Sequence, residues 1–183
     1  MSKAFESKSK FLSLILRHKP EAIGLILDPE GWADLDELIR LANARGTALT
    51  RELVREIVAS NDKQRFALSP DGLRIRANQG HSVHVDLKLE PQQPPAILFH
   101  GTATRFVASI LEAGLRPGSR QHVHLSAGED TAISVGGRHG KPVVLTVRAA
   151  EMVRDGHRFY RSANGVWLTD LVPPGYLDYP GDA

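Results

Sequence analysis

The sequence predicts two α+β units in tandem, and three observations carry that expectation. Helical apolar spacing followed by a short hairpin pattern fills the first half. Short strands interrupted by brief helices fill the second half. Between them lies Glu90-Pro91-Gln92-Gln93-Pro94-Pro95. Three prolines in six residues continue neither a helix nor a central strand. The stretch 91–95 therefore reads as a stiff connector between units 1–90 and 96–183. At 183 residues and 20.1 kDa, two small domains fit the chain.

In the first half, Phe11, Leu12, Ile15 and Leu16 recur at helical spacing, and Pro20 ends that helix at or before Lys19. Asp34 is placed to cap a second helix through Leu35, Leu38, Ile39 and Leu41, with Glu37 three residues on as the partner of a capping box. Gly46 breaks it. Thr50 caps a third helix through Leu53, Val54, Ile57 and Val58. Two short alternating runs, Arg65–Leu68 and Leu73–Arg76, flank Ser69-Pro70-Asp71-Gly72, which predicts a β-hairpin. Three helices and a hairpin are the winged-helix pattern.

In the second half, Ala96–Phe99 predicts a buried strand and residues 104–113 a helix ended by Gly114. His122–Ser126 alternates as a strand, residues 128–135 follow as a helix, and Pro142–Val147 is the clearest central strand. Phe159-Tyr160, Val166–Leu168 and the Leu171–Tyr176 stretch predict short strands between Gly, Asn and Pro turns.

Composition narrows the function. Lys plus Arg is 23 and Asp plus Glu is 21, a net charge of +2, with +1 in each half. No basic tail marks a bulk polyanion binder, so any anion site is made by a few placed residues. The absence of cysteine excludes disulfides, thiolate metal sites and cysteine nucleophiles. No apolar run is long enough to span a bilayer. The N-terminus carries basic residues before a short apolar stretch, but Glu6 interrupts them and no cleavage site follows, so the chain is expected to be cytoplasmic and mature from Met1. Without a long exposed apolar stripe, a monomer is expected.

The polar clusters are made of donors. His100-Gly101-Thr102 follows a strand and precedes a helix, where glycine admits a ligand to the backbone and the helix N-terminus offers N–H groups to an anion. The same tripeptide is equally a polar turn with Thr102 as N-cap. On a strand, Arg120, His122, His124 and Ser126 share one face, a poor core face and a good polar-ligand face. Two histidines at that spacing also begin a zinc site, but no carboxylate or cysteine stands near in sequence, so no metal is expected. Arg17-His18 closes the first helix, where cations also gain from the helix dipole. Arg74, Arg76, Asn78, Gln79, His81 and Ser82 form a segment rich in donors and free of acids, suited to phosphate oxygens. Arg138-His139-Gly140-Lys141 is a further cationic turn, compatible with pyrophosphate or with solvent. No Rossmann fingerprint, P-loop or obvious general base is present.

Five motifs in order, Leu12–Pro20, Lys63–Phe66, Ile75–Ser82, Phe99–Thr102 and Arg120–Ser126, resemble those of the RNA 2'-phosphotransferases over residues 9 to 147. The resemblance implies a winged-helix lobe that takes the RNA phosphate and an ADP-ribosyltransferase-like lobe that takes NAD, with the site between them. It implies removal of an internal RNA 2'-phosphate at the expense of NAD. The phosphate displaces nicotinamide. The ribose 2''-hydroxyl then attacks the linked phosphate and releases 2'-hydroxyl RNA and ADP-ribose 1'',2''-cyclic phosphate. The family's catalytic Arg-His-Arg-Arg set falls on Arg17, His18, Arg65 and Arg120, with Arg138 as competitor for the fourth place. His100, Gly101, Thr102 and Ser126 would cradle NAD, His124 its ribose, and Arg138 its phosphates. Two other readings remain: an ADP-ribosyltransferase acting on nucleic-acid termini or protein, and a winged-helix DNA-binding regulator. Against the second, the third helix carries Arg51 and Arg55 beside Glu52 and Glu56.

Overall fold

The computed structural model describes residues 2–182 and divides into two compact units, one ending at Lys88 and the other beginning at Leu89. It is a mixed fold of six α-helices and small antiparallel sheets among the described residues.

In the first unit, α1 (Lys3–Arg17) starts where the Ser2 hydroxyl accepts from the Phe5 N–H at 3.2 Å. Pro20 prevents its continuation, and a 3₁₀ turn, Pro20–Ile23, follows. The predicted caps hold for α2 (Leu35–Ala44) and α3 (Arg51–Ser60): Asp34 accepts from Glu37 N at 2.8 Å and Thr50 from Leu53 N at 3.1 Å. The expected capping box is only half made. The Glu37 carboxylate turns outward to Arg40, at 2.6 Å, because an exposed charge partner one turn on competes with the cap. The hairpin is present as β2 (Phe66–Leu68) and β3 (Arg74–Ala77). A strand absent from the sequence reading, β1 (Ala33–Asp34), adds to the other edge of β3, giving the order β1-β3-β2. Ala33, Phe66, Ile75 and Ala77 point inward onto Leu12, Ile15, Leu16, Leu35, Leu38 and Ile57, all buried.

In the second unit, β4 (Leu98–Ala103) pairs with β6 (Pro142–Val147), which pairs with β9 (Leu177–Asp178). A second sheet runs β5 (Val123–Leu125), β8 (Trp167–Thr169), β7 (Tyr160–Arg161). Helices α4 (Thr104–Ala113), α5 (Glu129–Gly136) and α6 (Ala149–Arg154) complete it. Leu98, Leu125, Val147, Met152, Phe159 and Val172 form the core. Residues 91–95 lie against this unit, where Pro94 is buried and the Gln92 N–H donates to the Phe159 carbonyl at 2.8 Å.

Three local expectations are corrected. His100-Gly101-Thr102 is not a turn but the middle of β4, which continues to Ala103, and the N-cap of α4 is Ala103 rather than Thr102. Packing alone requires glycine at position 101, because a Cβ on it would stand 1.6 Å from the Ala132 carbonyl oxygen of α5. Leu171–Tyr176 is not a strand. Only Val172 bridges, to Leu115, and Pro174–Tyr176 is a 3₁₀ turn forced by consecutive prolines, with β9 starting at Leu177.

Candidate functional site

The first unit gathers its cations around the loop after β3. The Arg17 carbonyl, left open at the C-terminus of α1, accepts from the Ser82 N–H at 2.9 Å and the Val83 N–H at 3.3 Å. Beside it, His18 Nδ1 lies 2.8 Å from Ser82 Oγ. Gly80, at φ +88°, lets the Arg17 guanidinium lie over its α-carbon, since a Cβ there would be 3.3 Å from Arg17 Nε. Asn78 ties down the third element. Its N–H donates to the Arg65 carbonyl at 2.9 Å and its Nδ2 to the Gln64 carbonyl at 2.6 Å. Arg17, His18, Arg65, Asn78 and Ser82 are thus anchored to one loop.

At its centre sits His81, 2% exposed, with neither ring nitrogen hydrogen-bonded. Burial first, then the charges of Arg17, Arg76 and His18, push its pKa down to about 4. The imidazole is therefore neutral at pH 7, a polar group set among cations without adding to their charge. This carries a stability consequence. Below the ordinary value of 6.5 the unfolded chain takes up a proton that folded His81 refuses, so stability falls as pH falls from about 6.5 toward 4. At pH 5 the loss from this residue is about 2 kcal/mol. Urea unfolding at pH 7.5 and pH 5, followed through Trp32, is expected to show a drop that His81→Gln reduces by about that amount. An equal drop in both proteins refutes the assignment.

Arg74 and Arg76 stand on the outer face of the sheet, their Cζ atoms 5.2 and 4.5 Å from the centre of the Trp32 ring. Trp32 escaped sequence reading. Its partnership depends on β1, and the only available signal was the Trp32–Asp34 alternation opposite Arg74 and Arg76. Gln79 is half-buried in the same loop. On α3, Arg51 is gripped by the Asp36 carboxylate, its Nε at 2.7 Å from Oδ1, which occupies the cation that a groove-reading helix would offer.

The second unit sets His100 and Thr102 on β4 and His124 on β5, but Arg120 and His122 stand in the bend before β5 and not on the strand face expected for them, because β5 is only three residues long. Arg120 Nη1 lies 3.1 Å from His124 Nδ1. A guanidinium only donates, so Nδ1 accepts and the ring proton belongs on Nε2. His100 Nδ1 donates to the His124 carbonyl at 3.3 Å, which leaves its Nε2 as an acceptor. Burial pushes the His100 pKa down, offset in part by that bond. Arg120 keeps solvent contact, yet the surrounding protein and, secondarily, the Arg138 charge lower its pKa. Arg138 itself follows α5 in a turn, its N–H on the Val135 carbonyl. Ser126 bridges Phe99 through both backbone groups at 2.8 Å, and Thr102 is buried. His122 diverges from His124, its ring 5.8 Å from Tyr160 and its Nε2 3.9 Å from Asp170. No group of three His, Asp or Glu side chains among the described residues is placed to hold a metal ion.

In each unit burial first, and neighbouring positive charge second, disfavours the charge of one group: Arg17, Arg76 and His18 act on His81, and Arg138 acts on Arg120. Such a cluster is relieved by an anion with several oxygens.

Residues 3–171 match the family model described as RNA 2'-phosphotransferase, Tpt1 / KptA family. A probable RNA 2'-phosphotransferase of Agrobacterium fabrum is 61% identical, covering 96% of this chain and 94% of its own length. Those of Acaryochloris marina and Hahella chejuensis are 60% and 59% identical, each over 97% of this chain and over 98% and 95% of their own lengths.

Proposed function

Because the chain belongs to the RNA 2'-phosphotransferase, Tpt1 / KptA family, we propose that it removes an internal RNA 2'-phosphate by transferring it to NAD. In this reading the first unit is a winged-helix lobe for the RNA phosphate and the second an ADP-ribosyltransferase-like lobe for NAD. The observation that supports it is the gathering of donors within each unit: the loop from Asn78 to Ser82 bonds Arg17, His18 and Arg65, and Arg120 is held on His124.

The donor set of the second unit suits a pyrophosphate ester. Arg120 donates to an imidazole while burial and, after it, the Arg138 charge disfavour its own, and an approaching phosphate would relieve both. His100, Gly101, Thr102, His124, Ser126 and Arg138 are the residues proposed for NAD, and Gly101 also seats β4, which carries His100 and Thr102, against α5. NAD supplies an electrophilic anomeric carbon with nicotinamide as leaving group.

The RNA 2'-phosphate is already an anion near neutral pH, so its attack needs no strong base. Arg17 grips its oxygens and His18 exchanges the proton of the second step, held in place by Ser82. In that step the ribose 2''-oxygen bonds to phosphorus and the RNA O2' leaves. The products are 2'-hydroxyl RNA and ADP-ribose 1'',2''-cyclic phosphate. Charge grows on the phosphorane and on O2', and Arg65 and Arg120 are assigned to stabilise it.

The test is direct. Incubated with NAD and an RNA carrying one internal 2'-phosphate, the protein is expected to yield nicotinamide, dephosphorylated RNA and the cyclic phosphate. Full retention of the 2'-phosphate overturns the reading. Removal of the phosphate without NAD overturns the NAD part alone.

A further inference from the structure

We propose that the outer face of the first unit's sheet, built on Trp32, Arg74 and Arg76, is a platform that stacks a base and grips a phosphate of the single-stranded nucleotide next to the 2'-phosphate. The proposal rests on the RNA 2'-phosphotransferase reading and adds the part of the RNA that this face recognises.

The register makes the face. Ala33 pairs with Ile75 and Asp34 with Arg74, while Ala67 pairs with Arg76. Because alternate residues point to opposite sides, Ile75, Ala77, Phe66 and Leu68 face the core. Arg74, Arg76, Ala67 and, one residue before β1, Trp32 take the other side. Trp32 is half-buried and is not a member of the apolar core. The ring lies under the Arg74 and Arg76 guanidinium groups and keeps part of its surface open.

The backbone beneath the ring is fixed by hydrogen bonds. The Trp32 carbonyl accepts from the Asp28 N–H at 2.8 Å, and the Trp32 N–H donates to Asp28 Oδ1 at 2.9 Å. The same Oδ1 accepts from the Glu30 N–H, and Gly31 turns at φ +86°. From outside, the Asp86 N–H donates to the Pro29 carbonyl at 2.8 Å. A backbone fixed in advance lowers the ordering cost when a ligand stacks on the ring it carries.

Aromatic and guanidinium planes together take the faces of bases, and the guanidinium edges take phosphate oxygens. Three acids share the region, and none cancels the arginines: Asp71, which also acts on Arg74, has its Oδ1 occupied by the Ser69 hydroxyl and the Leu73 N–H. Asp28 Oδ1 is taken by backbone N–H groups and its Oδ2 lies 3.5 Å from Arg74, a long contact on a half-exposed pair. Asp34 is the cap of α2. A duplex hides the faces of its bases, so the occupant is a single strand.

The platform borders the phosphate cluster within the same unit. Gly31, adjacent to Trp32, packs so closely on His81 that a Cβ there would be 3.3 Å from Nε2. Arg76 acts both over Trp32 and, with Arg17 and His18, on His81. A nucleotide next to the one whose 2'-phosphate meets Arg17 would reach this face.

The test is binding by the full chain without NAD, read by fluorescence anisotropy. The probes are a labelled single-stranded hexanucleotide with one internal 2'-phosphate, the same sequence as a duplex, and adenosine 2'-phosphate as competitor. Trp32→Leu keeps an apolar side chain against β3 but lacks a π-face. It is expected to weaken hexanucleotide binding about tenfold, to leave adenosine 2'-phosphate within about twofold, and to be rescued largely by Trp32→Phe. Unchanged hexanucleotide affinity overturns the platform. So does an equal loss for both ligands, which means the change acts through the phosphate cluster, and so does a preference for the duplex. The two readings fail separately. Wild-type protein that leaves the 2'-phosphate in place but binds through Trp32 refutes the activity and keeps the platform. Full turnover with a Trp32-independent affinity does the reverse.

Discussion

Gly101→Ala is expected to unfold the second unit at concentrations of urea that the wild type withstands. The new methyl carbon would lie 1.6 Å from the Ala132 carbonyl oxygen, 2.5 Å from its carbon and 2.9 Å from the Gly136 nitrogen. All three atoms are backbone of α5, so no side-chain rotation makes room. Gly136 completes the seam from the other side, where a Cβ would meet the Thr102 carbonyl oxygen at 2.5 Å. Relief requires lifting α5 off β4, with loss of the contacts that seat it. The cost is on the order of 4 kcal/mol or more, above the ordinary range for an overpacked site. That is most of the stability of a small domain. The two tryptophans fall one in each unit, Trp32 in the first and Trp167 in the second, so fluorescence can follow each separately. Unfolding read through Trp167 in a Trp32→Phe background is expected to shift to low urea, or the protein to be insoluble. Gly175→Ala, at an exposed position with nothing within 4 Å of its Cβ, is the control and is expected to change little. An unshifted Gly101→Ala midpoint would contradict the seam.

Gly101 also shows where the sequence was legible and where it was not. Signals that act within one turn of chain were readable. Asp34 and Thr50 cap their helices as expected because a side-chain oxygen and an N–H three residues on need no partner from elsewhere. The hairpin at Ser69–Gly72 was readable for the same reason. Features made by distant partners were not. Beside a histidine and a threonine, Gly101 looks like a ligand-facing turn, and only the arrival of α5, thirty residues later, reveals the reason for glycine. Strand β1 has two residues and no period to detect, so the Trp32–Arg76 pairing stayed hidden. The six residues of α6 are too few to establish a helical stripe and have no side-chain cap. Of the polar candidates, the loop from Asn78 to Ser82 does meet Arg17, His18 and Arg65 by hydrogen bonds. His81 was readable as a donor-rich loop residue. That it lies buried and neutral at the centre depends on packing against Gly31, fifty residues earlier in the chain.

Arg120→Ala is expected to stall the reaction after its first step and to accumulate RNA bearing a 2'-phospho-ADP-ribose, and Arg65→Ala to do the same. In the proposed reaction the two steps make different demands. In the first, an anion displaces a cationic leaving group and charge is dispersed, so loss of one guanidinium is tolerated. In the second, negative charge concentrates on a five-coordinate phosphorus and on the departing O2'. Removing one aimed donor from such a transition state costs about 10²- to 10³-fold. The adduct therefore forms faster than it decays. Arg120 suits this role because its Nη1 is held by His124 at 3.1 Å, which sets the direction of the fork, while the protein and Arg138 disfavour its charge until an anion arrives. Arg120→Lys is expected to rescue little, because an ammonium cannot bond two oxygens in one plane. A time course of the RNA by gel and mass spectrometry distinguishes the outcomes. Unreacted RNA alone would place these arginines in the first step. Accumulation of the adduct in Arg138→Ala, with Arg120→Ala running to completion, would move the fourth catalytic position to Arg138.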